Sequence, residues 1–204
     1  MNTTTRSTGR SLWVAIRALL MFTVVLGVGY TLLITAVGQL ALPAQANGSL
    51  IRDDDGDIVG SSLIGQNFTD ADGAPLPQYF QPRPSAAGDG YDGGASSGSN
   101  WGPENEDLIA AITERKAQIA EFNGVSPDEI PADAVTASSS GLDPHISPAY
   151  ALLQVDRVAA ARGLSAEQVR QAVDDNTKGP DLGYLGEPVV NVVELNLDLD
   201  RMDG

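Results

Sequence analysis

Ala18-Leu19-Leu20-Met21-Phe22-Thr23-Val24-Val25-Leu26-Gly27-Val28-Gly29-Tyr30-Thr31-Leu32-Leu33-Ile34-Thr35-Ala36-Val37-Gly38-Gln39-Leu40 is a run of 23 residues without a charge. As a helix it would reach roughly 34 Å at about 1.5 Å per residue, against a hydrocarbon core of roughly 30 Å. The run has no polar face to offer water, so it predicts a transmembrane helix over 18–40 and not the core helix of a soluble domain. The competing reading is a cleaved signal peptide, because Ala44-Gln45-Ala46 has the A-x-A form of a cleavage site. A signal's apolar region usually runs about 7–15 residues, and this one is longer. Along the run, Thr23, Gly27, Thr31, Thr35 and Gly38 share one broad face. Small residues there would let a neighbouring helix approach closely; equally, membrane helices simply tolerate them.

Charge is divided at this run. Residues 1–40 carry Arg6, Arg10 and Arg17 and no acid, whereas residues 41–204 carry all 27 acids and the remaining basic residues, a formal −18 out of −15 for the chain. The positive-inside rule therefore predicts a cytoplasmic segment 1–17, the membrane helix 18–40, a linker 41–48 and an exported acidic domain 49–204. The expected location is the cell membrane, with a single pass, and no nucleic-acid partner is expected. Without cysteine, thiolate metal sites and cysteine nucleophiles are excluded, although an exported domain could carry disulfides.

Beyond the linker, Ser49–Arg52 and Ile58–Ile64 flank Asp53-Asp54-Asp55-Gly56-Asp57, which predicts a β-hairpin. The aspartates do not have the ligand spacing of a calcium loop, and a solvated turn is the simpler reading. Residues 85–102 hold 6 glycines among serines, with Tyr91 and Trp101 embedded, and read as a long loop. Three helices follow. One starts at Pro103-Glu104-Asn105-Glu106-Asp107, uses Leu108, Ile112, Ile119 and Phe122, and stops at Asn123-Gly124. The next starts at Ser147-Pro148, buries Leu152, Val155, Val158 and Ala159, and stops at Gly163. The third is capped by Ser165 with Gln168 and buries Val169, Ala172 and Val173. Finally Val193, Leu195, Leu197 and Leu199 alternate with Glu194, Asn196 and Asp198, a period of two that predicts a half-buried strand. The fold class is α+β: one transmembrane helix, then a single exported α+β domain with short strands and about three helices.

His145 is the only histidine and lies in Ser138-Ser139-Ser140-Gly141-Leu142-Asp143-Pro144-His145-Ile146-Ser147-Pro148. Serine, aspartate and histidine together invite a hydrolase triad. Triad members converge from separated elements, however, and no G-x-S-x-G elbow is present. One histidine with Asp143 is also too few ligands for a metal. A tight turn fixed by two prolines, leading into a capped helix, accounts for the stretch. No catalytic residue and no metal site are expected.

Several stretches go further than periodicity. Gly60-Ser61-Ser62-Leu63-Ile64-Gly65-Gln66-Asn67-Phe68, Tyr79-Phe80-Gln81-Pro82-Arg83-Pro84-Ser85-Ala86, Ser99-Asn100-Trp101-Gly102-Pro103 and Val135 to Pro148 closely resemble the C subunit of the bacterial Kdp potassium-transporting ATPase. So do Gln154-Val155-Asp156-Arg157-Val158-Ala159 and Gly186-Glu187-Pro188 with Asn191-Val192. The resemblance runs in order from about residue 12 to 200. Ser139 stands where the family usually has glycine, Trp101 where leucine is common and Val189 where arginine is common; 69–76 and 53–57 are local elaborations. The resemblance implies an accessory subunit of a potassium-uptake pump. Its partners would be a channel-like potassium-translocating subunit, a P-type ATP-hydrolysing subunit and a small hydrophobic subunit, within the lipid bilayer. ATP and potassium would be handled by the complex, with no cofactor held by this chain. It also singles out Arg83, Asn100, Gly102, Asp143, His145 and Arg157 as partner-facing or structural positions. The family's C subunit is often described as a catalytic chaperone for ATP, which would give Ser138, Ser140, Gly141 and Gln154 a nucleotide role. The chain has no phosphorylation motif or P-loop of its own, and its arginine asymmetry places the domain away from cytoplasmic ATP.

Overall fold

The computed structural model describes residues 4–202, and its compact units meet between Ser49 and Leu50. The first unit is helical from α1 (Thr4–Phe22) through a π-helical stretch (Thr23–Tyr30) into α2 (Thr31–Ala41). Thr8–Ala41 is a 34-residue helix with mean hydropathy 2.2 over an 18-residue stretch, long and apolar enough to cross a membrane, and none of that stretch is buried within the chain. The helix thus extends beyond the expected 18–40, and its middle winds i→i+5 rather than i→i+4. Thr23 and Gly27 lie in that middle stretch, and Thr31, Thr35 and Gly38 in α2. Leu42 leaves the helix at φ −137°, and Pro43 opens a single turn, α3 (Pro43–Ala46). Asn47 ties this turn back by donating to the Pro43 carbonyl oxygen (2.7 Å) and pairing with Gln39.

The second unit is α+β. Its first element is the expected hairpin, β1 (Leu50–Arg52) against β2 (Ile58–Ser61), with Ile51 opposite Gly60 and a bulge between Ile51 and Arg52. The aspartates between the strands build the turn. Asp53 Oδ1 accepts from Asp57 N (2.8 Å), and Arg52 donates to the Gly56 carbonyl oxygen (2.6 Å). Helix α4 (Glu106–Asn123) starts three residues later than Pro103 predicts. Asn105 supplies the true cap, its Oδ1 accepting from Asp107 N and Leu108 N (2.8 and 3.1 Å), which a proline side chain cannot do. A short turn, α5 (Ala132–Val135), precedes β3 (His145–Ile146).

Helices α6 (Pro148–Arg162) and α7 (Ala166–Asp175) have the expected caps. Ser147 Oγ accepts from Tyr150 N, Gly163 closes α6 in the left-handed region, and Ser165 forms a reciprocal capping box with Gln168. Val169, Ala172 and Val173 are buried as expected. Leu152 is not: it is 47% exposed, and the buried face of α6 turns instead through Tyr150, Ala151, Gln154, Val155, Val158 and Ala159.

The larger correction is at the end of the chain. β4 (Thr177–Lys178) and β3 both pair antiparallel with β5 (Val189–Asn191), giving the order β3-β5-β4. The stretch predicted as a strand is helix α8 (Val192–Met202). Of its buried side chains, Val192, Leu195, Asn196 and Leu199 fall at i, i+3, i+4 and i+7, one helical stripe, with Val193 buried at its flank. Asn191 nucleates it, with Oδ1 accepting from Val193 N and Glu194 N (3.0 and 3.2 Å). The leucine alternation satisfied both periods, and the cap decided between them. The core gathers α6, α7, α8 and β5 around Phe80, Ile146, Val155, Val158, Val169, Val190, Leu195 and Leu199. Each large side chain fully buried there contributes about 1.5–3 kcal/mol.

Candidate functional site

The family-like stretches come together in two clusters. In the first, the turn 138–145 is wrapped by the Gly/Ser-rich loop, which is packed rather than free. Ser138 is buried, and its Oγ accepts from Gly141 N (3.1 Å) and Asp143 N (3.4 Å). Ser85 Oγ donates to the Gly141 carbonyl oxygen (2.6 Å), and Ser96 Oγ to that of Ser140 (2.9 Å). Gly141 is at φ +70°, and a Cβ there would lie 2.6 Å from the Ser97 carbonyl oxygen. A Cβ on Gly98 would meet the Ser139 carbonyl oxygen at 2.7 Å, so Gly98 is what lets the loop approach this turn.

Tyr91 holds the loop down. Its φ is +57°, a conformation that costs a non-glycine residue about 1–3 kcal/mol. Burial of its ring offsets that cost, as do hydrogen bonds from its hydroxyl to the Arg83 and Asp143 carbonyl oxygens (2.9 and 3.3 Å). Burial, with the Asp143 charge adding to it, pushes this hydroxyl well above the usual phenol range.

Asp143 is the centre of the charged group. One oxygen receives Arg83 Nη1 at 3.2 Å; the other accepts from His145 N (3.0 Å) and sits 3.1 Å from His145 Nδ1. Burial alone would push the carboxyl up. The His145 ring and backbone hydrogen bonds, with the charges of His145 and Arg83, outweigh it and hold the carboxyl below the ordinary aspartate value. Two clefts of about 450 and 350 Å³ flank the group, and Arg83, Asp143 and His145 line both. The hydrogen bonds of Ser138 and Ser140 run to backbone amides and to each other, not to His145, so among the described residues no serine–histidine relay is formed. Asn100 and Gly102 stand outside this group: both are exposed, and Asn100 donates back to the Gly98 carbonyl oxygen (3.0 Å).

Gln154 and Arg157 belong to the second cluster, on α6. Gln154 is fully buried; its Oε1 accepts from Gln81 N (2.7 Å) and Arg157 Nη2 (2.7 Å), and its Nε2 donates to the Gln81 carbonyl oxygen (3.2 Å). From α8, Asn196 makes the matching pair with Phe80, accepting from its N (2.8 Å) and donating to its carbonyl oxygen (3.0 Å). Two side-chain amides thus hold residues 80–81 as a β-ladder would. Arg157 completes the clip through the Pro77 and Tyr79 carbonyl oxygens and Asn123 Oδ1, with its guanidinium 4.4 Å over the Phe122 ring. Burial lowers its pKa to about 10, so it stays charged at neutral pH. Tyr91, Ser85, Gln81, Asn191 and Asn196 were not singled out from sequence. Only Asn191 left a local signal, an N-x-x-E pattern at a helix start.

The K+-transporting ATPase c chain family model, KdpC, matches residues 12–201. The chain belongs to the KdpC family. Similar proteins bear the name potassium-transporting ATPase KdpC subunit. One, from Mycobacterium tuberculosis, is 52% identical over 194 residues, covering 95% of this chain and 99% of the relative. Another, from Kineococcus radiotolerans, is 55% identical over 181 residues (89% and 88%), and one from Caulobacter vibrioides is 56% identical over 181 (88% and 87%). The matched range takes in the apolar helix and both clusters. As a KdpC chain this protein is an accessory subunit of a potassium-transporting ATPase complex and not the catalyst of that complex.

Proposed function

We propose that this KdpC chain is the single-pass subunit of an ATP-driven potassium-uptake pump whose folded domain lies outside the cytoplasm. There it stabilises the complex and assists potassium entry at the outer face. The observation that carries this reading is the charge split about the apolar helix, three arginines before it and a formal −18 after it. The partners are the potassium-translocating, ATP-hydrolysing and small hydrophobic subunits of the pump. The second reading, an ATP chaperone, is disfavoured by the state of its residues. The Gln154 amide is engaged at both ends inside the core, and the Ser138 hydroxyl is committed to its own turn. A negative surface field raises the local cation concentration without any binding site.

A reporter active only outside the cytoplasm, fused after Gly204, is expected to be active; a reporter active only inside would overturn the topology. Replacing Asp53, Asp54, Asp55 and Asp57 with asparagine should raise the half-saturating potassium concentration modestly. The effect should show in dilute media, where the screening length is about 30 Å, and fade near 0.15 M salt, where it is about 8 Å. An unchanged half-saturation at low salt would remove the field from the mechanism.

A further inference from the structure

A separate cleft of about 270 Å³ lies between residues 81–85 and α4. Arg83 and Arg115 line it, and no aspartate or glutamate does, in a domain that is otherwise strongly acidic. The rest of its wall is largely apolar, with Pro82, Pro84, Ile119 and Phe122. The two arginines differ in state. Arg83 is compensated by Asp143 at 3.2 Å. Arg115 is half-buried, and among the described residues its guanidinium makes one hydrogen bond, to the Val135 carbonyl oxygen at 3.0 Å. Its neighbours three and four positions away on α4 are Ala111, Ile112, Gln118 and Ile119, none of them an acid, and the adjoining Glu114 accepts from Gln118 Nε2 (3.1 Å) rather than from Arg115. The carboxylate of α5, Asp133, is already committed to Ser147 N and Oγ (2.7 and 2.9 Å).

A guanidinium presents five donors in a planar fork that matches a carboxylate with two parallel bonds. With Asp143 set against Arg83, the cleft holds one uncompensated positive charge, which suits a monoanion better than a phosphate dianion. We propose that this cleft binds a carboxylate carried on an apolar stem, with Arg115 as its ionic contact. That chemistry has two sources, a free small organic acid or a carboxylate of a neighbouring subunit.

The test is calorimetric titration of the full-length chain in nanodiscs with butyrate, its neutral analogue butyramide, and inorganic phosphate. Butyrate should bind saturably, and butyramide and phosphate more weakly. Arg115→Gln should weaken butyrate at least tenfold. Gln118→Glu, which adds a negative charge at the rim and leaves Arg115 intact, should weaken it several-fold, and it decides the matter if Arg115→Gln fails to fold. No saturable butyrate binding overturns the proposal, as does equal binding by a folded Arg115→Gln variant and by Gln118→Glu. In the assembled pump, retained butyrate binding supports a free acid as the natural ligand, and lost binding supports a carboxylate from a neighbouring subunit.

Discussion

Asp143 shows how one residue serves a turn that sequence alone presents as a catalytic motif. Its carboxylate bridges Arg83 and His145 and caps the backbone of His145, so its charge is spent on structure. Because its folded-state pKa lies below the unfolded value, the stabilisation is complete above the ordinary aspartate pKa. It is lost as the pH falls through the depressed one. Asp143→Asn keeps the cap and removes the charge. It should cost about 1–2 kcal/mol at neutral pH, the lower part of the range for a charged hydrogen bond because the side chain is partly exposed. In denaturant melts the gap between wild type and variant should narrow as the pH falls below about 4. A gap independent of pH would show that the ionised carboxylate contributes nothing there.

Among the elements, α8 is the one in which local periodicity misleads. Val193, Leu195, Leu197 and Leu199 fit a strand's alternation, yet Leu195 and Leu199 also lie four apart on a helix, and Asn196 is buried between them. The Asn191 cap and the pairing of Asn196 with Phe80 require the helix, since a strand would turn Asn196 away from that backbone. Asn191→Ala should therefore destabilise the domain by about 1–2 kcal/mol, the cost of a lost N-cap. Asn191→Ser keeps an accepting cap oxygen without adding a charge and loses the reach to the Ser62 carbonyl oxygen, so it should cost less than half as much. Urea titration followed by circular dichroism measures both; equal losses would mean that the tie to Ser62, not the cap, holds α8. By contrast, α6 and α7 are legible because their caps, with the Gly163 stop of α6 and the apolar stripe of α7, are local signals that agree.

For the whole molecule, the proposed function makes the apolar helix the expected contact with other membrane subunits. The small-residue face from Thr23 to Gly38 runs through the π-helical stretch into α2. Changing Gly27 and Thr31 to leucine is expected to weaken co-purification of the other subunits while membrane insertion, read by the same C-terminal reporter, stays intact. Undiminished co-purification would mean that these residues are tolerated and not used.

What rests on short range or on summed composition is legible in the chain read alone: the apolar helix, the charge split about it, the hairpin, the caps of α6 and α7, and the family. Tertiary structure decided what depends on partners far along the chain. Gln154 and Asn196 lie 73 and 116 residues from the backbone groups they bind, so no window could assign them. The glycine-rich loop has no periodicity of its own; it is ordered because Tyr91, Ser85 and Gly98 fit the turn 138–143. The last segment carried a pattern that two periods shared, and the Asn191 cap together with the buried Asn196 amide meeting Phe80 fixed which one the chain adopted.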